Sequence, residues 1–353
     1  MNTIYGEALR GLPGPILVTG HTGFKGTWLT LLLEYLNIPV VGISLPPEDN
    51  SLYSLMKREN KITEKFIDIR NLSDLQSTIQ KFAPSAVLHM AAQPLVLESY
   101  ESPISTFEVN VIGSANLLQS CLNTASVKTI GVITTDKVYR NVGSKRSFIE
   151  SDPLGGRDPY SASKVGTESV VTAWREISLN HSGPQIFSLR AGNVIGGGDR
   201  ARNRLIPDIV NSKLSGNPLE VRNPKSTRPW QHVLDPLYGY LKALEKSINT
   251  EIAPAYNFGP SSKSISVENV IKIANDTWDN SLVVYNLNNS KHIRYEAAEL
   301  AIDASLASRE LGWRPRWSQE EAVSFTINWW KQVLEGNVSA HQSCLLDIEY
   351  LFS

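Results

Sequence analysis

The stretch "VTGHTGFKGTWLTLLL", residues 18–33, sets the tightest bound on what this chain can fold into. A short apolar run, "ILVTG" (16–20), closes on Gly20, and Gly23 and Gly26 follow at three-residue spacing before a long apolar stretch. Glycine permits a sharp turn and lets main chain come close to a phosphate. A helix starting at that turn points its free N–H groups, and about half a positive charge, at an anion. A tight strand–helix turn could carry the same glycines for packing alone. Here the strand comes before them and the helical stretch after, which is the arrangement a dinucleotide site requires.

The first half of the chain repeats this alternation. Further apolar runs are "PVVGISL" (39–45), "KFIDIR" (65–70), "AVLHMAA" (86–92), "TIGVITT" (129–135) and "QIFSLRAGNVIG" (185–196), with amphipathic stretches between them. Near-continuous apolar runs fit parallel strands buried on both faces, and their alternation with helices fits a doubly wound sheet. The expected fold is therefore α/β, a Rossmann-type doubly wound parallel sheet. Beyond Gly196 the pattern loosens, and Trp clusters in "LGWRPRWSQEEAVSFTINWW". This points to a smaller C-terminal substrate-binding α/β domain. The expected division is 1–192 for the dinucleotide domain and 193–353 for the second, with segments near 228–260 returning to the first.

Charge and cysteine usage narrow the partners. A formal net charge of −1 argues against nucleic acid or an anionic membrane, which favour a basic excess. Cys121 and Cys344 are too far apart in sequence for a metal motif, and the six histidines are scattered, so no metal is expected. "MNTIYGEALRGLPGP" lacks an apolar signal core, and the expected location is the reducing cytoplasm.

Two clusters carry the chemistry. In "DPYSASKVGTE", Tyr160 and Lys164 stand four apart at the start of a helical stretch, so both side chains share one face. An unperturbed tyrosine titrates near 10, too high for a base at neutral pH. A lysine charge about 5 Å away, in an effective dielectric near 20, is worth roughly 3 kcal/mol and would bring the phenol down by about two pH units. Tyr160 can then take a hydroxyl proton as hydride leaves the carbon. The second cluster is "TTDKVY" (134–139), where Asp136 and Lys137 follow Thr135 at the end of an apolar run. Alcohol oxidation needs Thr135 at most. An added acid and base at the same strand end imply a second event, such as proton abstraction beside a new ketone and departure of a hydroxyl. A solvated Asp-Lys turn is the plainer alternative.

The G-x-x-G-x-x-G spacing resembles the extended short-chain dehydrogenase/reductase superfamily. "TGHTGFKGTWL", "AAQPLV", "TTDKVY", "GRDPYSASK", "RAGNVIGGGD", "RLIPDIV" and "RPWQHVLDPLYGYL" together resemble the CDP-glucose 4,6-dehydratase family, from about residue 15 to 330. The resemblance implies that Tyr160, with Thr135 and Lys164, oxidises the sugar at C4, that Lys137 removes the C5 proton, and that Asp136 protonates the departing C6 hydroxyl. The hydride then returns to C6, giving a 4-keto-6-deoxy sugar nucleotide. It implies NAD as cofactor, held by Gly20, Gly23, Phe24, Lys25, Gly26, Asp68, Ile69, Ala91, Ala92, Gln93, Asn110, Thr134, Tyr160 and Lys164. It places Asn193, Arg204, Leu205, Arg222 and Arg228 around the nucleotide sugar. The end of the second strand carries Ser44 rather than the acid that commonly binds a ribose hydroxyl, and no Arg follows to favour a 2′-phosphate, so NAD is preferred to NADP.

This chain departs from the family pattern at Leu97, Arg200 and Asn203, where Arg, Trp and an acid respectively are expected. These positions bear on the base and sugar rather than on the reaction. A 4-epimerase or reductase would need Tyr160 and Lys164 but not the pair at 136–137, and a non-catalytic nucleotide-sugar binder would need neither. The apolar character of "VNVIGSANLLQSCL" and "VVTAWREI" implies a homodimer through helices near 103–123 and 160–179.

Overall fold

The computed structural model describes residues 5–143, 146–221, 223–279, 281–286 and 300–353. Seven parallel strands form the central sheet: β1 (Ile16–Thr19), β2 (Val40–Ser44), β3 (Thr63–Phe66), β4 (Ala86–His89), β5 (Thr129–Ile133), β6 (Gln185–Ala191) and β7 (Ala255–Phe258). Their spatial order is β7-β6-β5-β4-β1-β2-β3. The chain builds outward from β1 in one direction and then reverses at β4, which pairs with the other edge of β1. Ligands bind such sheets in the crevice at the carboxyl ends of the strands, where the winding reverses. The glycine turn after β1 and the segment after β4 meet there.

The inner strands β1, β4 and β5 are buried throughout, whereas the edge strand β3 is mostly exposed. In β1, Ile16 and Val18 enter one core and Leu17 the other; in β4, Ala86 and Leu88 part from Val87 in the same way. On one face lie α1 (Phe24–Tyr35) and, beyond the catalytic half of the chain, Leu234–Asn249. On the other face lie α2 (Leu72–Phe82), α3 (Gly113–Leu122) and α4 (Pro159–Asn180). The core on the α1 side is continuous with the C-terminal tryptophans. Trp313, Trp317, Trp329 and Trp330 are buried in it together with Ile16 and Leu88. The indole of Trp28 donates to the Gly197 carbonyl (3.0 Å), and that of Trp313 to the Asp235 carbonyl (2.9 Å).

Three elements differ in extent from the sequence pattern. The "KFIDIR" strand ends at Phe66, so Asp68 and Ile69 lie in the turn beyond it. "QIFSLRAGNVIG" is two strands: after Ala191 the chain leaves the sheet, and Asn193–Ile195 pairs with Trp230–His232. The helical stretch before α3 runs as Pro103–Phe107 followed by a π-turn at Glu108–Ile112. Such turns are uncommon and often mark functional regions; this one carries Asn110. Among the described residues, no helix is long and apolar enough to cross a membrane.

Candidate active site

At the first turn, Gly20 has φ +74°, and a Cβ there would sit 2.8 Å from the Ala91 nitrogen. A Cβ on Gly26 would meet the Gly20 carbonyl oxygen at 2.1 Å. These two glycines let the turn, the first helix and the strand after β4 close on one another. Gly23 is different. It caps α1 at φ −72°, ψ 169°, which any residue adopts, and the only heavy atom within 4 Å of a Cβ there is the Gly20 oxygen at 3.3 Å. Packing does not require a glycine at 23. Its bare Cα keeps the helix N-terminus accessible to an anion, so the cradle fits a dinucleotide pyrophosphate. Phe24 and Lys25 begin α1 at this point.

The other cofactor candidates divide by location. Ala91 donates its N–H to the Thr19 hydroxyl (3.2 Å), which also binds His89 (2.7 Å). Ala92 is half-buried beside it. Gln93 takes its place through Asn110, whose carboxamide oxygen accepts the Gln93 N–H (2.8 Å). The Asn110 amide donates to the Gln93 carbonyl (3.1 Å) and to Ser163 (2.9 Å), tying this loop to α4. Asp68 and Ile69 lie beyond the β3 end. Asp68 binds the Arg70 guanidinium (2.6 Å), which holds the carboxyl below its ordinary range. At the end of β2 the Ser44 and Thr22 hydroxyls bond each other (2.7 Å).

The catalytic candidates converge from two elements. Asp158 caps α4 with a reciprocal Ser161 capping box and Pro159 in the first turn, so Tyr160 and Lys164 emerge at the helix start. The Tyr160 N–H is bound by Ser99 (3.1 Å), and Lys164 donates to the Ile133 carbonyl at the end of β5 (3.2 Å). From that strand end the chain enters a 3₁₀ turn at Asp136–Val138, capped by Thr135, whose oxygen accepts the Lys137 N–H (3.3 Å). Thr135 donates to Asp136 (3.1 Å) and hydrogen-bonds the Tyr160 phenol. The Lys137 ammonium lies 6.0 Å from the Tyr160 ring centre. Thr135, Asp136, Lys137 and Tyr160 thus lie together at the end of β5, with Lys164 against the last carbonyl of that strand.

Burial shifts the titration of Asp136, Lys164 and Tyr160. Asp136 is 1% exposed, and its second carboxyl oxygen has no hydrogen-bond partner. Burial raises its pKa above the ordinary carboxylate value, against Lys137, Thr135 and Arg228, which pull it down. Lys164 is lowered to about 8 by burial, opposed by Glu168. Tyr160 corrects the sequence expectation. Its phenol is pushed up to about 12 by burial, which outweighs the Thr135 hydrogen bond and the Arg204 charge. The Lys164 ammonium is turned to the Ile133 carbonyl, and desolvation of the phenolate exceeds any Coulomb gain from it.

Lys25 reaches into the same group of charges. Its ammonium donates to the Tyr240 hydroxyl (3.1 Å), and its pKa falls to about 7 through burial, then through Lys164 and Arg204, opposed by Asp136. On the substrate side, Arg204 precedes Leu205 at the start of the Leu205–Ser215 helix and pairs with Asp199 (3.0 Å). Arg228 is buried, donates to the Thr227 carbonyl (2.7 Å) and acts on Asp136. Asn193 opens the strand beside Trp230. Arg222 lies outside the described residues. Of the departures, Leu97 is on the short Val96–Glu101 helix that also carries Ser99, and Arg200 stacks over the Trp330 ring at 4.9 Å. Asn203 takes a left-handed φ of +61° next to Arg204.

Sequence reasoning missed a buried network below the pocket, formed by Glu168, Arg190 and Tyr139. One signal for it was available. Glu168 continues the Tyr160–Lys164 stripe by one helical turn, and a buried acid at that spacing calls for a cation.

Comparison with known proteins places the chain among sugar-nucleotide dehydratases. The sequence model of the GDP-mannose 4,6 dehydratase family matches residues 17–326. A CDP-glucose 4,6-dehydratase of Salmonella typhimurium is 39% identical over 331 residues, covering 91% of each chain. A dTDP-glucose 4,6-dehydratase of Xanthomonas campestris is 27% identical, covering 89% of this chain and 92% of its own. Among solved structures, dTDP-glucose 4,6-dehydratase from Streptomyces venezuelae with NAD bound superposes with a TM-score of 0.76 at 24% identity, over 93% of this chain and 99% of that one. An NAD-dependent NDP-hexosamine 5,6-dehydratase of tunicamycin biosynthesis gives 0.74 at 26% identity, over 90% and 98%.

Proposed function

Because this chain belongs to the GDP-mannose 4,6 dehydratase family, as a nucleotide-sugar 4,6-dehydratase that uses NAD, we propose that its substrate is CDP-glucose and its product the 4-keto-6-deoxy sugar nucleotide plus water. The observation that carries the reading is Asp136. Its carboxyl is buried, raised in pKa and unpartnered at one oxygen, beside Lys137 and Tyr160. Oxidation alone has no use for a carboxyl kept ready to release a proton; elimination of a hydroxyl does.

The residues take the following roles. Gly20, Gly23 and Gly26 seat the pyrophosphate of NAD at the α1 N-terminus, with Ala91, Ala92 and Gln93 along its central part and Asp68 and Ile69 toward the adenine. NAD bound there would supply a reversible hydride acceptor and a positively charged ring. Tyr160 is protonated in the isolated protein at neutral pH, and its desolvated phenolate would need such a positive charge nearby to form. It takes the C4 hydroxyl proton, with Thr135 aligning the oxygen and Lys164 beneath. The ketone acidifies the C5 proton, which Lys137 removes. Asp136 delivers its proton to the C6 oxygen as it departs, and Lys137 returns its proton to C5 as C6 recovers the hydride taken from C4, which gives the 4-keto-6-deoxy sugar and leaves the cofactor as it began. Asn193, Arg204, Leu205, Arg222 and Arg228 hold the nucleotide sugar, the arginines addressing the diphosphate.

The same reading divides the chain into a dinucleotide part, 1–192 with returning segments near 228–260, and a substrate part, 193–353. It also includes a homodimer. Ile104, Phe107 and Ile112 on the run before α3, and Ile177 and Leu179 on α4, are exposed on neighbouring helices. A second copy would cover them. The direct test incubates the protein and NAD with CDP-, dTDP-, UDP- and GDP-glucose. Loss of one water from CDP-glucose in preference to the others is expected. Turnover of another base, or none, would overturn the substrate assignment.

A further inference from the structure

We propose that Arg190 is a positioning residue that fixes the acid–base turn from beneath by gripping both of its ends. This rests on the reading of Asp136 and Lys137 given above. Arg190 is on β6 and 5% exposed. Its Nε and Nη2 donate to the two oxygens of Glu168 (2.9 and 2.8 Å), and its Nη1 donates to the Tyr139 hydroxyl (2.9 Å) and the Glu150 carbonyl (2.9 Å). Glu168 in turn accepts the Thr134 hydroxyl (2.6 Å) and that of Ser188 (2.8 Å). Thr134 stands just before the turn and Tyr139 just after it. One guanidinium therefore holds the first through Glu168 and the second directly.

What lies between the two grips has little internal support. The turn is a single 3₁₀ step, and its side-chain bonds are the Thr135 contacts alone. A 3₁₀ turn has poor hydrogen-bond geometry and does not hold an orientation by itself. Both ends also have a main-chain anchor. The Thr134 N–H donates to the Leu189 carbonyl of the sheet (2.9 Å), and Tyr139 bridges Leu154, with the Gly155 N–H donating to the Val138 carbonyl (2.8 Å) and the Arg140 N–H to the Pro153 carbonyl (2.9 Å). The Tyr139 side chain adds the Arg190 bond, its own donation to Asn257 (2.7 Å), and stacking on Phe148 at 5.1 Å. Removing the Tyr139 hydroxyl loosens the side-chain grip on the Lys137 side of the turn and leaves the Thr134–Glu168 bond beside Thr135 in place. Elimination should suffer before oxidation. The planar fork of arginine makes both grips at once, which the single ammonium of lysine cannot do.

Two variants test this. Tyr139→Phe keeps the stacked ring and removes the hydroxyl; Arg190→Lys keeps the charge and removes the fork. With CDP-glucose and NAD, three rates are read: C4 oxidation from the near-ultraviolet absorbance of the reduced cofactor, exchange of the C5 hydrogen in D2O, and water loss. Amide hydrogen exchange across residues 134–139 is read without cofactor. In Tyr139→Phe, C5 exchange and water loss should fall about 10- to 100-fold, the usual effect of a misplacement near 1 Å, with oxidation within about threefold. Amide protection of 134–139 should fall in both variants, and Arg190→Lys should be the more affected. Parallel losses of oxidation and elimination in Tyr139→Phe, or unchanged rates or unchanged protection in either variant, would each overturn the proposal. Lys137→Ala separates the two claims. If C5 exchange survives in that variant, the base assignment fails, and amide protection alone then judges the grip.

Discussion

At the scale of single residues, burial rather than pairing sets the chemistry. Burial raises the Asp136 pKa above the ordinary carboxylate value, against Lys137, Thr135 and Arg228, which favour the carboxylate. Asp136→Asn should therefore leave C4 oxidation and C5 exchange running while water loss falls about 10²- to 10⁴-fold, the usual worth of a positioned acid. Lys137→Ala should lose C5 exchange as well, which solvent deuterium incorporation will read. Lys25 offers a pH test in the protein without cofactor. Its folded pKa of about 7 lies below the ordinary 10.5, so between those values the unfolded chain binds more protons and stability rises with pH. Below about 7 the ammonium is charged in both states and its burial opposes folding in full. Lys25→Met should raise the melting temperature more near about pH 6 than near about pH 9, and equal shifts at both would contradict the buried ammonium.

At the scale of elements, the strand–turn–helix units place the site. The glycine turn separates two requirements that one motif usually blends. Gly20 and Gly26 serve the fold, since a Cβ at either would run into main chain. Gly23 serves the ligand. Gly23→Ala should cost at most about 1 kcal/mol of stability, the range of a cap substitution. It should weaken NAD binding at least tenfold, about 1.4 kcal/mol. Gly20→Ala should lower stability and binding together. Urea unfolding and calorimetric titration with NAD measure both quantities. Equal behaviour of the two variants would contradict the division of roles. The capping box at Asp158 has a comparable place: by starting α4 where it does, it fixes Tyr160 above the β5 end.

At the scale of the whole molecule, the proposed dimer turns on a few exposed apolar side chains. Ile104 is 73% exposed, Ile112 54% and Leu179 59%. The sequence argument for a dimer pointed to "VNVIGSANLLQSCL" and "VVTAWREI", but Leu117, Leu118, Cys121 and Val171 from those segments are core residues. The exposed apolar surface that remains within the expected helices, 103–123 and 160–179, is narrower: Ile104, Phe107, Ile112, Ile177 and Leu179. Ile104→Glu combined with Ile112→Glu should convert a dimer to a monomer at micromolar concentration, as read by light scattering. A molecular mass unchanged by the pair would count against this face.

The sequence by itself determined the winding of the sheet, the glycine turn after β1 and the two chain segments, 134–139 and the start of α4, that meet at the end of β5. These depend on local rules: apolar runs at strand spacing, glycines where a Cβ cannot fit, and a Tyr–Lys pair one helical turn apart. The reaction was legible because an acid and a base at a strand end had no role in simple oxidation. Tertiary structure alone decided how those groups titrate. The phenol of Tyr160 rises where its lysine was expected to lower it, because desolvation depends on everything packed around a group and the Lys164 ammonium is turned to a carbonyl. It also decided the grip on the turn. Thr134, Tyr139, Glu168, Arg190 and Asn257 come from four separate stretches of chain and meet only when β5, β6, β7 and α4 are packed together. No local pattern records a contact between residues as distant as Tyr139 and Asn257.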